Sequence, residues 1–314
     1  MALPAALKAR LRLPLIAAPM FLVSGPALVT AACRAGVIGS FPTANCRTIE
    51  ELDRWLAEIK AEAGGAAPFC PNLIVHRSNP RLADDLAAVL RARPEMVITS
   101  VGSPEGVLKP LKDAGCLVLA DVASVRHAEK AAAVGVDGLV LLTAGAGGQT
   151  GWVNPFAFVR AVRKFWDGIV VMAGGMSDGQ AIAAAETLGC DLAYMGTKFI
   201  ATRESLAKDE YKAMLVKSRL DDVLLTRAFT GLETNMLRPS ITAAGLDPDD
   251  LPPRGAIDIA KDINAAERDK PASKRWKDIW SAGHSVSGVA DVPSVAELVE
   301  RTAREYASVQ VVKA

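Results

Sequence analysis

The stretch IVVMAGGMSDGQAIAAAETLGCDLAYMGT, residues 169–197, consists of two apolar runs separated by a segment of helical character. The first run ends at Gly174 and Gly175, and the second ends at Gly196. Asp178 precedes the middle segment, and a glycine follows its last apolar residue, as at the two ends of a capped α-helix. The stretch therefore predicts a strand–helix–strand unit, and its uninterrupted apolar strands are typical of a parallel sheet covered on both faces.

The same unit recurs along the whole chain. Short runs rich in Val, Ile, Leu, Ala and Met alternate with segments that carry helix signals. The predicted strands are residues 15–20, 37–42, 69–76, 96–102, 116–122, 138–144, 169–175 and 192–199. Eight such repeats close most simply into an α/β fold of the (β/α)8 TIM barrel type. An open doubly wound sheet is the alternative, and it is less favoured because no G-x-G-x-x-G motif follows the first strand.

Capping residues mark the predicted helix starts. Thr48 and Glu51 have the spacing of a capping box. Three Xaa-Pro pairs place a capping side chain before a proline at the first helical position: Asn79-Pro80, Ser103-Pro104 and Asn154-Pro155.

Composition changes after the eighth strand, which predicts three regions. Residues 1–204 are expected to form the barrel with its ligand site. Residues 205–276 are richer in charge and proline, and they are expected to form a helical and irregular insertion, or lid, over one end of the barrel. Residues 277–314 are expected to return to the barrel as a loop and a helix from about residue 293 to 308.

Overall composition limits the classes of function. Half of the 314 residues are apolar, so a large core can be buried. The 36 basic and 35 acidic residues give a net charge of +1, which argues against a nucleic-acid partner. The five cysteines include no C-x-x-C pair, so we expect reduced thiols in a cytoplasmic protein and no metal site.

An apolar run near the amino terminus resembles a secretory signal. It covers residues 13–33 and follows three basic residues. Pro14, Pro19 and Pro26 interrupt it, which a continuous apolar helix does not tolerate well. We therefore predict a strand and then a helix after Ser24, and no membrane-spanning segment.

The carboxyl ends of the predicted strands should hold the functional site, as in other barrels of this type. Two adjacent ends, at Gly174-Gly175 and at Gly196-Thr197, carry glycines whose backbone N–H groups can approach an anion closely. With the dipole of the helix after Asp178, they predict a phosphate cradle. The alternative is that these glycines only form tight turns between strands and helices.

A glycine-rich segment, AGAGGQTGW at residues 144–152, follows the sixth strand. Glycines add backbone entropy to the unfolded chain, so four of them in seven residues are not there for stability. They suit a loop whose backbone lies against a flat ligand. A flexible surface loop is the alternative, and the capped helix that follows at once makes it less favoured.

Several motifs together resemble the nitronate monooxygenase family, formerly called 2-nitropropane dioxygenases. This group of FMN-dependent TIM barrels also includes NAD(P)H:quinone reductases and flavin-dependent enoyl-ACP reductases. The resemblance extends from residue 15 to about residue 308. It is carried by SVRHA at 124–128, AGGMSDG at 173–179, MGTKFIATRE at 195–204 and WSAG at 280–283.

The resemblance implies positions for an FMN cofactor. The phosphate would lie on Gly174, Gly175, Gly196 and Thr197. Other cofactor-binding residues that it implies are Pro19, Met20 and Asn72 facing the isoalloxazine, Gly147 and Gly148 near flavin and substrate, and Ser281 in a loop that returns to the pocket.

The chain departs from the family at two positions. Relatives that oxidise nitronates usually have a histidine where this chain has Gln149. An amide cannot remove a proton near neutral pH, so this argues against neutral nitroalkanes but not against preformed nitronates. Several relatives have a lysine where this chain has Asp121, and a carboxylate near the flavin would disfavour an anionic reduced ring unless it is paired or protonated.

The three histidines have different expected roles. His284 follows the WSAG motif and could act as a relocated acid or base, or lie in the rim of the pocket. His76 ends the third strand and could line the pocket. His127 is expected to pack or cap in the first turn of a helix.

The resemblance implies an FMN-dependent oxidoreductase that oxidises a small anionic substrate with O2, in which Gln149, His284 and Asp121 are the catalytic candidates. The alternative within the family is an NAD(P)H-dependent reductase that acts on a quinone or an enoyl thioester. Two other hypotheses are a phosphate-binding barrel without redox activity and a flavin-bearing protein that has lost catalysis. A homodimer is one option for the oligomeric state.

Overall fold

A computed structural model describes residues 3–251 and 278–313 of the protein. Its strands are β1 (Leu15–Ala17), β2 (Ile38–Pro42), β3 (Phe69–Ile74), β4 (Met96–Ser100), β5 (Leu117–Val122), β6 (Gly138–Leu142), β7 (Gly148–Gln149), β8 (Ile169–Ala173), β9 (Leu192–Met195), β10 (Val223–Thr226) and β11 (Thr234–Leu237). Eight of them form a closed parallel barrel in the order β1-β2-β3-β4-β5-β6-β8-β9. The predicted TIM barrel is therefore confirmed.

Most of the helices follow barrel strands and cover the outside of the sheet. Numbered over the described residues, they are α1 (Ala5–Lys8), α2 (Pro26–Arg34), α3 (Ile49–Ala63), α4 (Leu82–Ala92), α5 (Glu105–Asp113), α6 (Val125–Val134), α7 (Pro155–Val162), α8 (Gly179–Leu188), α9 (Thr197–Ile200), α10 (Asp209–Lys217), α11 (Arg238–Ala243) and α12 (Val295–Lys313). Short 3₁₀ helices cover Thr43–Asn45, Leu220–Asp222 and His284–Gly288.

Most of the predicted helix caps are present. Thr48 accepts a hydrogen bond from Glu51 N, Asn154 accepts from Phe156 N, and Asp178 accepts from Ala181 N.

Two predicted helix starts were wrong. Helix α4 begins at Leu82, because Asn79 is used in the turn before it: its Nδ2 donates to Ile74 O and its Oδ1 accepts from Arg81 N. Helix α5 begins at Glu105, one residue after Pro104.

Side chains along the strands point alternately into and out of the barrel, and they form two apolar layers. Inward-facing residues such as Ile16, Ile98 and Val171 fill the barrel interior, and α1 contributes Leu7 to this cluster. Outward-facing residues such as Leu15 pack with the covering helices in a larger cluster. Burying each such side chain contributes roughly 1.5–3 kcal/mol, so the barrel is a rigid frame for the residues at its strand ends.

Beyond the barrel, a small antiparallel sheet was missed from the sequence. Strand β11 pairs with β10 on one side and with β7 on the other. The region expected to be helical and irregular therefore also supplies strands. Residues 252–276 of the predicted insertion lie outside the described residues, and the three-region division remains a prediction.

The C-terminal helix and the cysteines complete the description. Helix α12 runs from Val295 to Lys313 and packs against α8 and α2, so it extends beyond the predicted segment. All five cysteines are free and buried. Within the described part of the chain, no helix combines the length and apolar character needed to cross a bilayer. No group of three or more potential metal ligands is found there either.

Candidate active site

A cavity of about 370 Å³ lies at the carboxyl ends of the barrel strands. All predicted site residues except His284 line it: Pro19, Met20, Asn72, Asp121, Gly147, Gly148, Gln149, Gly174, Gly175, Gly196, Thr197 and Ser281. These residues span more than 260 positions of the sequence, and the fold brings them to one cavity.

The ends of β8 and β9 contribute mainly backbone to this cavity. Gly174 and Gly175 have φ angles of +115° and +73°, which favour glycine. A Cβ on Gly174 would lie 2.5 Å from Thr143 Oγ1, whereas a Cβ on Gly175 would meet nothing within 4 Å. On Gly196, the nearest atoms to a Cβ would be 3.6 Å away, in Ala18 and Met20. Gly175 therefore borders open space, and a Cβ on Gly196 would fit in ordinary contact with its neighbours.

The amino-terminal end of α8 is already engaged. Asp178 caps Ala181 N, and Gly179 N donates to Glu305 Oε2 at 3.0 Å. The Glu305 carboxylate of α12 thus accepts a hydrogen bond from the helix end whose dipole was predicted to attract the phosphate.

Thr197 connects the end of β9 to the returning C-terminal segment. Its hydroxyl is buried and accepts a hydrogen bond from Gly283 N at 2.9 Å. Ser281, two residues earlier, lines the cavity. The WSAG segment therefore reaches the cavity beside the end of β9.

The glycine-rich loop after β6 packs tightly against the same segment. A Cβ on Gly147 would lie 2.7 Å from Gly283 N, and a Cβ on Gly283 would lie 2.5 Å from Gly145 O. Gln149 pairs with Thr234 in the small sheet. Two layers of backbone are therefore in contact, and the loop is held in place rather than free on the surface.

The β1 end is held by polar contacts that the sequence analysis missed. Met20 N donates to Ser24 Oγ at 3.0 Å, and Asn45 Nδ2 donates to Met20 O at 3.0 Å. Leu22 and Val101, which also line the cavity, have φ angles of +60° and +61°. Such angles are costly for residues with bulky side chains, so the surrounding structure must stabilise them.

Buried polar groups lie on the side of the cavity formed by β3, β4 and β5. Ser100 Oγ donates to Asn72 Oδ1 at 3.2 Å. Asn72 Nδ2 and Asp121 Oδ1 are buried and have no hydrogen-bond partner among the described residues. Burial raises the pKa of Asp121 to about 8. Unpartnered buried polar atoms are rare, and here they face a cavity with room for a ligand.

The histidines lie outside the lining of this cavity. His284 is exposed, and its backbone N–H donates to Gly145 O at 2.8 Å. Partial burial lowers the pKa of its ring. Its acid–base role stays a prediction. His76 Nδ1 lies 2.7 Å from Ser78 Oγ, and His127 is exposed in the first turn of α6.

The cavity lining also contains residues that the sequence analysis did not single out. Tyr211 stacks on Trp280 with ring centroids 5.0 Å apart, and its hydroxyl donates to Ser281 O. Lys208 is the only cation among the described lining residues, and its Nζ lies 3.2 Å from Asp278 Oδ1. Nothing in the local sequence marked Lys208 or Tyr211, because they follow the last barrel strand without a motif.

Known proteins with similar sequences include nitronate monooxygenases and a CoA-thioester dehydrogenase. The family pattern of nitronate monooxygenases matches residues 79–305. The nitronate monooxygenase of Paraburkholderia phytofirmans is 31% identical, over 93% of this chain and 92% of that protein. An octahydroindene-carboxyl-CoA dehydrogenase of Mycobacterium tuberculosis is 28% identical, over 73% of this chain and 64% of that protein.

Solved structures agree in fold. The nitroalkane oxidase of Streptomyces ansochromogenes has a TM-score of 0.81 and 26% identity, and the match covers 99% of this chain and 100% of that one. FabK from Thermotoga maritima has a TM-score of 0.80 and 23% identity over 98% of this chain and 96% of that one, and this likeness concerns the fold alone.

Proposed function

Because the chain belongs to the nitronate monooxygenase family, a family of flavin-dependent oxidoreductase enzymes, we propose that it binds FMN in the described cavity. We further propose that it oxidises a small anionic substrate, with O2 as the final electron acceptor. The observation that carries the proposal is that one cavity joins the open glycine turns of β8 and β9 to unpartnered buried polar atoms on β3 and β5.

The residues at the ends of β8 and β9 fit a phosphate group. Gly175 and Gly196 leave space that a side chain could otherwise fill, so an anion can approach the main chain there. Thr197 has a buried hydroxyl beside them, whose oxygen already accepts from Gly283 N and whose hydrogen is free to donate. These three residues would hold the FMN phosphate.

The opposite side of the cavity fits a flat heteroaromatic ring. Such a ring presents acceptors and donors along its edges, and Asn72 Nδ2 and Asp121 Oδ1 are the buried polar atoms without partners among the described residues of the cavity. Pro19 and Met20 add an apolar wall from the β1 end. These side chains would hold the isoalloxazine.

The flavin, when bound, supplies the redox chemistry, and the protein orients the substrate. Gln149 lines the cavity on a loop fixed by its pairing with Thr234, so its amide can orient a substrate by hydrogen bonds. It cannot take a proton near neutral pH. A nitronate is already an anion and needs no base.

The test starts with the absorbance spectrum of the purified protein and with identification of the cofactor released by heat. Anaerobic addition of a preformed alkyl nitronate should then bleach the flavin, whereas neutral nitroalkane, NADH and NADPH should not. Bleaching by NADH or NADPH would instead support the quinone or enoyl thioester reductase.

Two other outcomes identify the remaining hypotheses. A colourless protein that does not take up added FMN would support a phosphate-binding barrel without redox activity. A yellow protein that none of these compounds bleaches would support a flavin-bearing binding protein. We also propose a cytoplasmic location, with which the free cysteines are consistent. A homodimer is one option for the oligomeric state.

A further inference from the structure

Asp121 occupies a position that suits a ligand-binding carboxyl group. It lies near the carboxyl end of β5, where it pairs with Val140 of β6. Ser100 and Asn72 come from the neighbouring strands β4 and β3 and are joined by a hydrogen bond. The Asp121 side chain lines the cavity, and its Oδ1 is buried without a hydrogen-bond partner among the described residues.

No described cation compensates a negative charge at this point. Lys208, the cation of the cavity lining, forms its ion pair with Asp278 and not with Asp121. Among the described residues, Asp121 interacts electrostatically with Cys70 of β3 and Tyr194 of β9, and burial raises the pKa of both. Both are therefore neutral near pH 7, as are Ser100 and Val140 on the flanking strands.

A buried carboxylate without a counter-charge is unfavourable, so the group keeps its proton instead. In that form Asp121 has one O–H donor and remaining acceptor capacity. Carboxylic acids that an apolar site keeps neutral can serve as hydrogen-bond donors at neutral pH. The cavity side of β3 to β5 then offers two donors, the Asp121 hydroxyl and the Asn72 amide.

We propose that Asp121 is held as a neutral carboxylic acid that donates a hydrogen bond to the flavin ring beside Asn72, and that its proton couples flavin reduction to pH. This inference rests on the proposed function, because it requires a flavin in the cavity. The substrate is oxidised and the ring gains two electrons, and a neutral acid does not oppose the added negative charge as a carboxylate would. Where Asp121 is ionised before reduction, the reduction draws one additional proton from solvent onto its carboxyl group.

The first test measures the thermal stability of the apoprotein and does not depend on enzyme activity. Burial raises the pKa of Asp121 from its ordinary value of 3.8 to about 8 in the folded protein. The folded state therefore binds more protons in this window, so the stability associated with this group is present below about pH 3.8 and is lost as pH rises toward about pH 8. We expect the melting temperature of the wild type to fall over this window relative to that of Asp121→Asn.

The control for this experiment is Asp113→Asn, which removes an exposed carboxylate on α5. It should keep the wild-type pH dependence. Parallel pH profiles of the wild type and Asp121→Asn would overturn the inference. An infrared band of a protonated carboxyl group at pH 6, present in the wild type and absent from Asp121→Asn, reports the same proton directly.

The second test measures the flavin reduction potential against pH in the loaded protein. Just above about pH 8, the wild type should take up one more proton per reduced flavin than Asp121→Asn does at the same pH. At pH 6 the two proteins should take up the same number, because Asp121 already carries its proton there. Tyr194→Phe, which removes the neighbouring titratable hydroxyl, should keep the wild-type uptake; loss of the additional proton in this variant would assign it to Tyr194 and overturn the inference.

The two proposals fail in different ways. A protein that binds no FMN would contradict the proposed function, and with it any contact between Asp121 and flavin. A protein that binds FMN with the same potential–pH slope in the wild type and in Asp121→Asn would leave the proposed function intact and contradict the inference.

Discussion

Two glycine-rich parts of this cavity are alike in sequence and different in structure. In the loop after β6, Gly145 and Gly147 are in close contact with the segment that contains Gly283. At the ends of β8 and β9, a Cβ added to Gly175 or Gly196 would have no neighbouring atom closer than 3.6 Å. The first group is required by packing within the protein, whereas the second leaves room for additional atoms beside the cavity.

The comparison distinguishes glycines that packing requires from glycines that we propose to bind the cofactor. Gly174 shows that the distinction follows the neighbours and not the motif. It directly precedes Gly175, yet a Cβ there would collide with Thr143 Oγ1 at 2.5 Å. Substitutions in the loop should therefore change the free energy of unfolding, and a substitution at Gly196, whose φ is negative, should change cofactor affinity.

The largest effect is expected where the loop presents a side chain to the cavity. Gln149→His places a group with a pKa near neutrality on the fixed β7 position. General-base catalysis contributes about 10²–10⁴-fold, so turnover of neutral nitroalkanes should rise by about that factor. Oxidation of preformed nitronates should change little. Steady-state kinetics with both substrate forms measures this.

Gln149→Asn is the matched control, because it keeps an amide and adds no base. It should not acquire nitroalkane oxidation. Equal rates for Gln149→His and the wild type with nitroalkanes would mean that the loop does not bring this position to the reacting carbon.

At the β9 turn, Gly196→Val should impair FMN binding and leave the fold intact. A Cβ fits at 3.6 Å from its neighbours, but the two methyl groups would enter the cavity. We expect the Kd for FMN to rise at least about 100-fold, or about 2.7 kcal/mol. Titration of apoprotein with FMN and thermal unfolding measure the two properties.

Gly106→Ala on α5 is the control, since a Cβ there meets nothing within 4 Å and the residue is not part of the cavity lining. It should bind FMN like the wild type. Normal FMN affinity in Gly196→Val would show that the phosphate lies elsewhere.

In the loop, Gly147→Ala should lower the free energy of unfolding. Its Cβ would lie 2.7 Å from Gly283 N, and overpacking of this kind costs about 1–3 kcal/mol. Urea unfolding of the apoprotein measures the change. Unchanged stability with lost FMN affinity would place Gly147 in the binding group of glycines and break the comparison.

The smallest effect concerns the contact that joins the two regions. Thr197→Val removes the hydroxyl that accepts from Gly283 N. A buried N–H left without an acceptor costs about 1–3 kcal/mol, and local movement should keep this loss near the lower limit. Thr197→Ser keeps the acceptor and should retain stability. Equal unfolding curves for Thr197→Val and Thr197→Ser would show that the contact is not needed.

Local sequence predicted the barrel well, because each strand and its helix carry their own apolar period and caps. It failed for β10 and β11: among the described strands, β10 pairs only with β11, and β11 also needs β7, far away in the chain. Asn79 illustrates the same limit at a single residue. Its side chain has the chemistry of a helix cap, but in the structure it forms hydrogen bonds within the turn between β3 and α4.

The sequence by itself determined the repeating strand–helix pattern and the motifs at the strand ends, because periodicity and turn chemistry act over a few residues. Only the tertiary structure decided which of those motifs face one another. It brought Asn72 and Asp121 to one cavity, each with a buried polar atom that no described residue pairs, and it left His284 outside the lining. Burial and hydrogen-bond pairing depend on all neighbours in space, and closure of the barrel selects these neighbours from distant parts of the chain.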